Sequence, residues 1–127
     1  MLALAKRMNL QSEIDYFNDL APPDQARLLA VFLTELAVEA RLTYGPLPDS
    51  VQDGARMRFV NEMVARLARY IEQLLGEDEN RPSVEVLLRM LLAPRADKIA
   101  ERMVANAYRR AIQGFDRYDA TVTMAPR

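Results

Sequence analysis

Histidine, cysteine and tryptophan are absent from this chain. Histidine is the usual general base near neutral pH and the commonest metal ligand. Its absence removes Ser–His triads, the common zinc sites, haem ligation by histidine and the Glu-x-x-His di-iron motif. Without cysteine there are no disulfides and no thiol chemistry, which suits a reducing compartment. The four glycines, Gly45, Gly54, Gly76 and Gly114, stand alone, so no phosphate loop or dinucleotide fingerprint can form. Only Ser12, Ser50 and Ser83 supply serine hydroxyls, and each sits where a helix should begin. None has an evident base beside it, so capping is favoured over nucleophilic catalysis. No long apolar run exists either. Leu28–Thr34 is seven residues without a charge, against the roughly 20 that a membrane span needs. "MLALAKRMNL" places Lys6 and Arg7 after five residues, unlike a signal peptide. We therefore expect a cytoplasmic protein with no membrane contact, no metal site, no cofactor and no catalytic residue.

What is present is helical. Half of the 127 residues are hydrophobic and 28% are charged, the composition of one globular domain. Ser12 and Asp15 in "SEID" suggest a capping box opening a helix to about Leu20. "APPDQ" starts a second helix, Pro23 in its first turn and Asp24 near its positive end, running to about Thr43. "YGPLPDS" breaks it. A third helix follows from Ser50 to Leu75, with Gly76 as its C-cap. Ser83 opens a fourth to Ala93, where Pro94 intervenes. A fifth extends from Arg95 or Ala96 to Arg117. No useful strand pattern appears. The expected fold is all-α, a compact bundle of four or five mostly antiparallel helices in one domain over 1–127, with loose termini at 1–10 and 119–127.

The third helix carries a heptad seam, Met57, Val60, Val64, Leu67, Ile71 and Leu74. Met63 and Tyr70 widen it on one side, Ala68 and Leu75 on the other. Arg58, Glu62, Arg66, Arg69, Glu72 and Gln73 occupy the opposite, solvated arc. The second helix is apolar almost all round: ten of the thirteen residues from Ala26 to Val38 are apolar. Its polar stripe, Arg27, Thr34 and Arg41 with Glu35 alongside, is narrow. Such a helix is central to its domain or part of a subunit interface. The expected arrangement is a homodimer in which Leu29, Phe32, Leu33 and Leu36 meet a second copy across a two-fold axis.

Three groups of residues are candidates for contact with other molecules. Asn61 falls on the apolar side of the third helix, near the loop after the second. With Arg41 and Tyr44 it forms either a polar lock or a small ligand pocket, and the lock is favoured. Lys98, Arg102, Arg109, Arg110 and Arg117 make a basic stripe on the last helix, available to nucleic acid or to a protein partner. Residues 1–80 hold eight Lys and Arg against thirteen Asp and Glu, whereas 81–127 hold nine against five. The net charge of −1 and the acids interrupting the stripe weigh against nucleic acid. Glu35 and Glu39, four residues apart, are expected to pair with arginines from neighbouring helices rather than to act as an acid–base couple. The acidic run Glu77, Asp78 and Glu79 lacks the alternation of a calcium loop. The favoured function is a non-enzymatic interaction, adaptor or regulatory module acting through helix faces. A nucleic-acid-binding regulator and a small-ligand binder or enzyme around Arg41, Tyr44 and Asn61 are the alternatives.

Overall fold

The computed structural model describes residues 9–44, 51–92 and 98–124. Five helices account for most of them: α1 (Gln11–Asn18), α2 (Pro22–Tyr44), α3 (Val51–Leu75), α4 (Val84–Leu92) and α5 (Lys98–Met124). Among the described residues there is no strand. The fold is an all-α bundle. Its centre is α2, which packs most extensively against α5 on one side and α3 on the other. The short helices α1 and α4 pack on each other and on α5, and α4 also meets α3.

Neighbouring helices run antiparallel. On α2 and α5, Arg27 lies over the Phe115 ring while Phe32 meets Tyr108, so rising numbers on one match falling numbers on the other. On α3 and α4, Tyr70 bonds Pro82 at one end and Arg66 bonds Met90 at the other. Six residues separate α2 from α3. They reach about 25 Å at most, too short to travel back along a helix of about 34 Å, so α3 must return beside α2.

Local chemistry explains the helix ends. Pro22 and Pro23 sit in the first turn of α2, where their missing N–H groups cost nothing, and Asp24 faces the positive end. Ser83 caps α4, its hydroxyl oxygen accepting from the Val86 amide at 3.3 Å. Ser12 does not cap α1, contrary to expectation. That helix begins at Gln11, and the Ser12 hydroxyl donates to Glu13 instead. At the end of α3 the amides of Asp78 and Glu77 donate to the carbonyls of Gln73 and Leu74, a Schellman arrangement. The residue that adopts the left-handed conformation is Glu77 (φ 58°), not the adjacent Gly76. Leu10 is fully buried, and α5 extends to Met124. Pro94 lies outside the described residues.

One continuous core joins all five helices. Ile14 and Phe17 of α1 meet Leu29, Phe32 and Leu36 of α2, Met63, Leu67 and Leu74 of α3, Leu88 and Leu91 of α4, and Val104 and Tyr108 of α5. Phe32 and Tyr108 form an edge-to-face pair with centroids 5.2 Å apart. Burial of the Tyr108 ring takes its phenol with it, and the hydroxyl has no hydrogen-bond partner among the described residues. Burial pushes that phenol well above its ordinary pKa, with the Glu13 carboxylate adding in the same direction.

Two predictions follow from these local features. Glu77→Gly relieves the left-handed strain and should raise stability by about 0.5–1 kcal/mol in a denaturant melt; a loss would contradict the cap assignment. Tyr108→Phe removes an unsatisfied hydroxyl, so the melting temperature at pH 7 should hold or rise; a fall worth more than about 1 kcal/mol would contradict this. Above pH 10 only the unfolded chain can ionise Tyr108. The parent must therefore lose stability as pH rises past that point, and the variant should lose less.

Candidate functional site

The residues expected to form a dimer interface are inside the protomer. Leu29, Phe32 and Leu36 are fully buried, and Leu33 is partly buried against the same core. All four belong to or pack against the core shared with α3 and α5. The polar stripe of Arg27, Thr34 and Arg41 is exposed as expected, but it is the middle of a broader open face that includes Ala30 and Ala37. Three larger apolar residues border that face: Val31 (37% exposed), Val38 (43%) and Leu42 (75%).

Asn61 is also placed differently. It is exposed, and so is Arg41; the Tyr44 side chain lies outside the described residues. The buried arc of α3 is centred on Phe59, Val60, Met63, Leu67, Tyr70 and Leu74. It is turned from the heptad seam toward Met63 and Tyr70 by about half a residue step of the wheel. Leu75, 65% exposed, and Asn61 share the opposite border of the seam and are left in solvent. Exposed as it is, Asn61 is not the buried amide that a polar lock requires.

The basic stripe is split by the packing of α5. Lys98 and Arg102 are exposed. Arg109 is half-buried and donates to the Asn9 carbonyl at 3.5 Å. Arg110 turns inward: its Nε donates to Glu35 at 2.7 Å and its Nη1 to Glu39 at 2.5 Å. The two carboxylates push the guanidinium further above its ordinary pKa. The Arg117 side chain lies outside the described residues. Glu35 and Glu39 thus pair with an arginine of a neighbouring helix, as the sequence suggests, and they fix α5 against α2. Arg110 therefore fastens α5 to α2, with its side chain 39% exposed.

The seam between α2 and α5 runs past this clasp. At one end Arg27, Val31, Gly114 and Phe115 line a cleft of about 420 Å³. Gly114 opens it, because nothing stands within 4 Å of where a side chain would begin. Arg27 pairs with Asp24 and lies 5.8 Å from the centroid of the Phe115 ring. At the other end Leu42 and Ile99, the latter 48% exposed, fall at matching levels of the antiparallel pair. Val31, Val38 and Leu42 recur at spacings of seven and four, so they lie on one side of α2, the side of Glu35. Ile99, Arg110 and Gly114 likewise share one side of α5. Of the six large hydrophobic residues exposed among the described residues, four are on α2 and α5, and Val31 among them lines this cleft. Sequence reasoning missed them because it assigned the apolar surplus of α2 to the fully buried row.

A second cleft, about 450 Å³, lies at the end of the bundle where Phe17, Gln25, Tyr70, Arg81 and Val84 meet. Its polar groups hold the fold together. Gln25 donates to the Phe17 carbonyl at 3.0 Å, Tyr70 to the Pro82 carbonyl at 2.8 Å, and Arg81 to the Asp78 carbonyl at 2.8 Å. Burial raises the Tyr70 pKa and the Arg81 guanidinium opposes that rise. Among the described residues no group of three or more acids is placed to hold a metal ion, and no helix is long and apolar enough to cross a membrane.

No protein-family model matches the chain, and neither a curated protein nor a solved structure does.

The clasp gives the prediction for this region. Arg110→Met leaves Glu39, whose side chain is only 10% exposed, without its guanidinium partner. A lone carboxylate in such a place costs about 1–3 kcal/mol. The chemical-denaturation midpoint should fall accordingly, and adding Glu39→Met to Arg110→Met should recover part of the loss. No loss in the single variant would show that the clasp does not hold α5 to α2.

Proposed function

We propose that the protein is a non-enzymatic interaction module whose working surface is the α2–α5 groove. The observation that carries this reading is the exposure of Val31, Val38, Leu42 and Ile99 on an otherwise well-buried helix pair. Exposed apolar residues scattered singly need no explanation, whereas a contiguous row along a helix pair suits contact with another molecule. The groove also has a firm base. Arg110 fixes the register of α5 on α2, and the Phe32–Tyr108 pair lies beneath it in the core. A rigid scaffold under an apolar strip keeps the entropy cost of binding low.

The other two readings have less behind them. A nucleic-acid role needs a free row of cations, and Arg110 is committed to Glu35 and Glu39. A pocket at Arg41, Tyr44 and Asn61 needs convergence, and Arg41 and Asn61 are both open to solvent.

Peptides selected from a library against the full chain test the reading. The pair Val38→Asp and Leu42→Asp, both at exposed positions, should weaken their binding by about tenfold or more. Leu75→Asp, which changes an exposed leucine of α3 away from the groove, should leave binding unchanged. Equal binding by the parent and the double variant would contradict the proposed surface.

A further inference from the structure

The seam between α3 and α4 holds a third cleft, of about 180 Å³. Arg66, Arg69 and Gln73 supply its polar side from α3, at spacings of three and four that place them on one side of that helix. Leu87 and Met90 supply its apolar side from α4. Tyr70 and Pro82 line it too, and the hydrogen bond between them leaves that phenol already engaged. The two arginines differ. Arg66 is half-buried, and its Nη1 donates to the Met90 carbonyl at 3.1 Å, which holds the guanidinium across the seam. Arg69, one turn on, is exposed, and no ion pair joins it to an acid among the described residues. Glu62 and Glu72 share the solvated arc of α3, but neither is among the described residues that line the cleft.

We infer that this cleft binds a carboxylate carried on a short apolar chain. The planar fork of arginine suits the two carboxylate oxygens. Gln73 is half-buried, and its amide N–H groups can donate to the same oxygens. The apolar wall selects the rest of the ligand. Leu87 is buried, and Met90, 45% exposed, offers a flexible side chain that adapts to what it covers. A volume of about 180 Å³ holds about six water-sized groups at about 30 Å³ each. That is room for a carboxylate and a few carbons, and too little for a nucleotide. Free short-chain acids carry such a group, and so does the C-terminus of a peptide ending in an aliphatic residue. The cleft shares no residue with the α2–α5 surface, so the inference stands apart from that reading.

NMR chemical-shift titration of the full chain, read at the Met90 methyl, tests the inference with pentanoate and pentanamide. Pentanoate should bind about tenfold tighter than pentanamide, and raised salt should narrow the gap. Arg69→Gln changes an exposed residue, so the melting temperature should hold while the preference for the acid disappears. Val38→Asp with Leu42→Asp should leave both affinities unchanged. A short peptide ending in leucine identifies the source of the carboxylate. Tighter binding than pentanoate, lost when the C-terminus is amidated, assigns the cleft to chain ends; weaker binding assigns it to free acids. Equal affinity for pentanoate and pentanamide overturns the inference. So does the absence of binding by either, or a preference for the acid that survives Arg69→Gln.

Discussion

Helix α2 must bury one side against α3 and another against α5 at the same time. That double demand shapes the rest of the molecule. It draws Leu28, Leu29, Phe32 and Leu36 into the core and leaves the Arg27–Thr34–Arg41 stripe in water. Two neighbours do not close round a helix, so a border remains between the buried and wet sides. Val31, Val38 and Leu42 stand on that border. The strip that we propose as a contact surface is thus a consequence of the packing geometry, and it persists as long as α3 and α5 keep their places.

Electrostatics then fixes what sterics leave free. Alanines on α5, Ala100, Ala107 and Ala111, are all fully buried and let the helix come close to its neighbours. Small flat surfaces of this kind specify register weakly. Arg110 supplies the register by reaching Glu35 and Glu39, one turn apart on α2. Arg110 and Glu35 are partly exposed, so their ion pair contributes modestly to stability. Its larger effect is on placement: it sets Ile99 opposite Leu42 and Gly114 opposite Val31, and so aligns both walls of the groove.

The element boundaries were largely legible from punctuation. Pro22, Pro23, Gly76 and Ser83 mark ends that depend on a single residue's backbone chemistry, and the structure keeps them within a residue or two. The direction of each helix face was less legible. On α3, Met63 with Tyr70 and Ala68 with Leu75 are equally apolar borders of one seam, and only the location of α2 and α4 decides which is buried. Asn61 and Leu75 follow from that choice, which a single helix does not contain. On α2 the difficulty was greater, because apolar residues occur on every side and burial depends wholly on the neighbours. Arg110 resembled the other arginines of α5 in sequence, and only the α2–α5 register turns it inward. The pairing of Glu35 and Glu39 was legible because two carboxylates four apart near a buried face require a cation from elsewhere.

The central claim is that α2 divides into a buried row and an open apolar row in a single copy of the chain. Since the protein has no cysteine, single cysteines placed at residues 36 and 38 report on this without background. In thiol labelling at low protein concentration, Val38→Cys should react at nearly the rate of a free thiol. Leu36→Cys should react only as fast as the chain unfolds. Protection at residue 38 at every concentration, or rapid reaction at residue 36, would contradict the account.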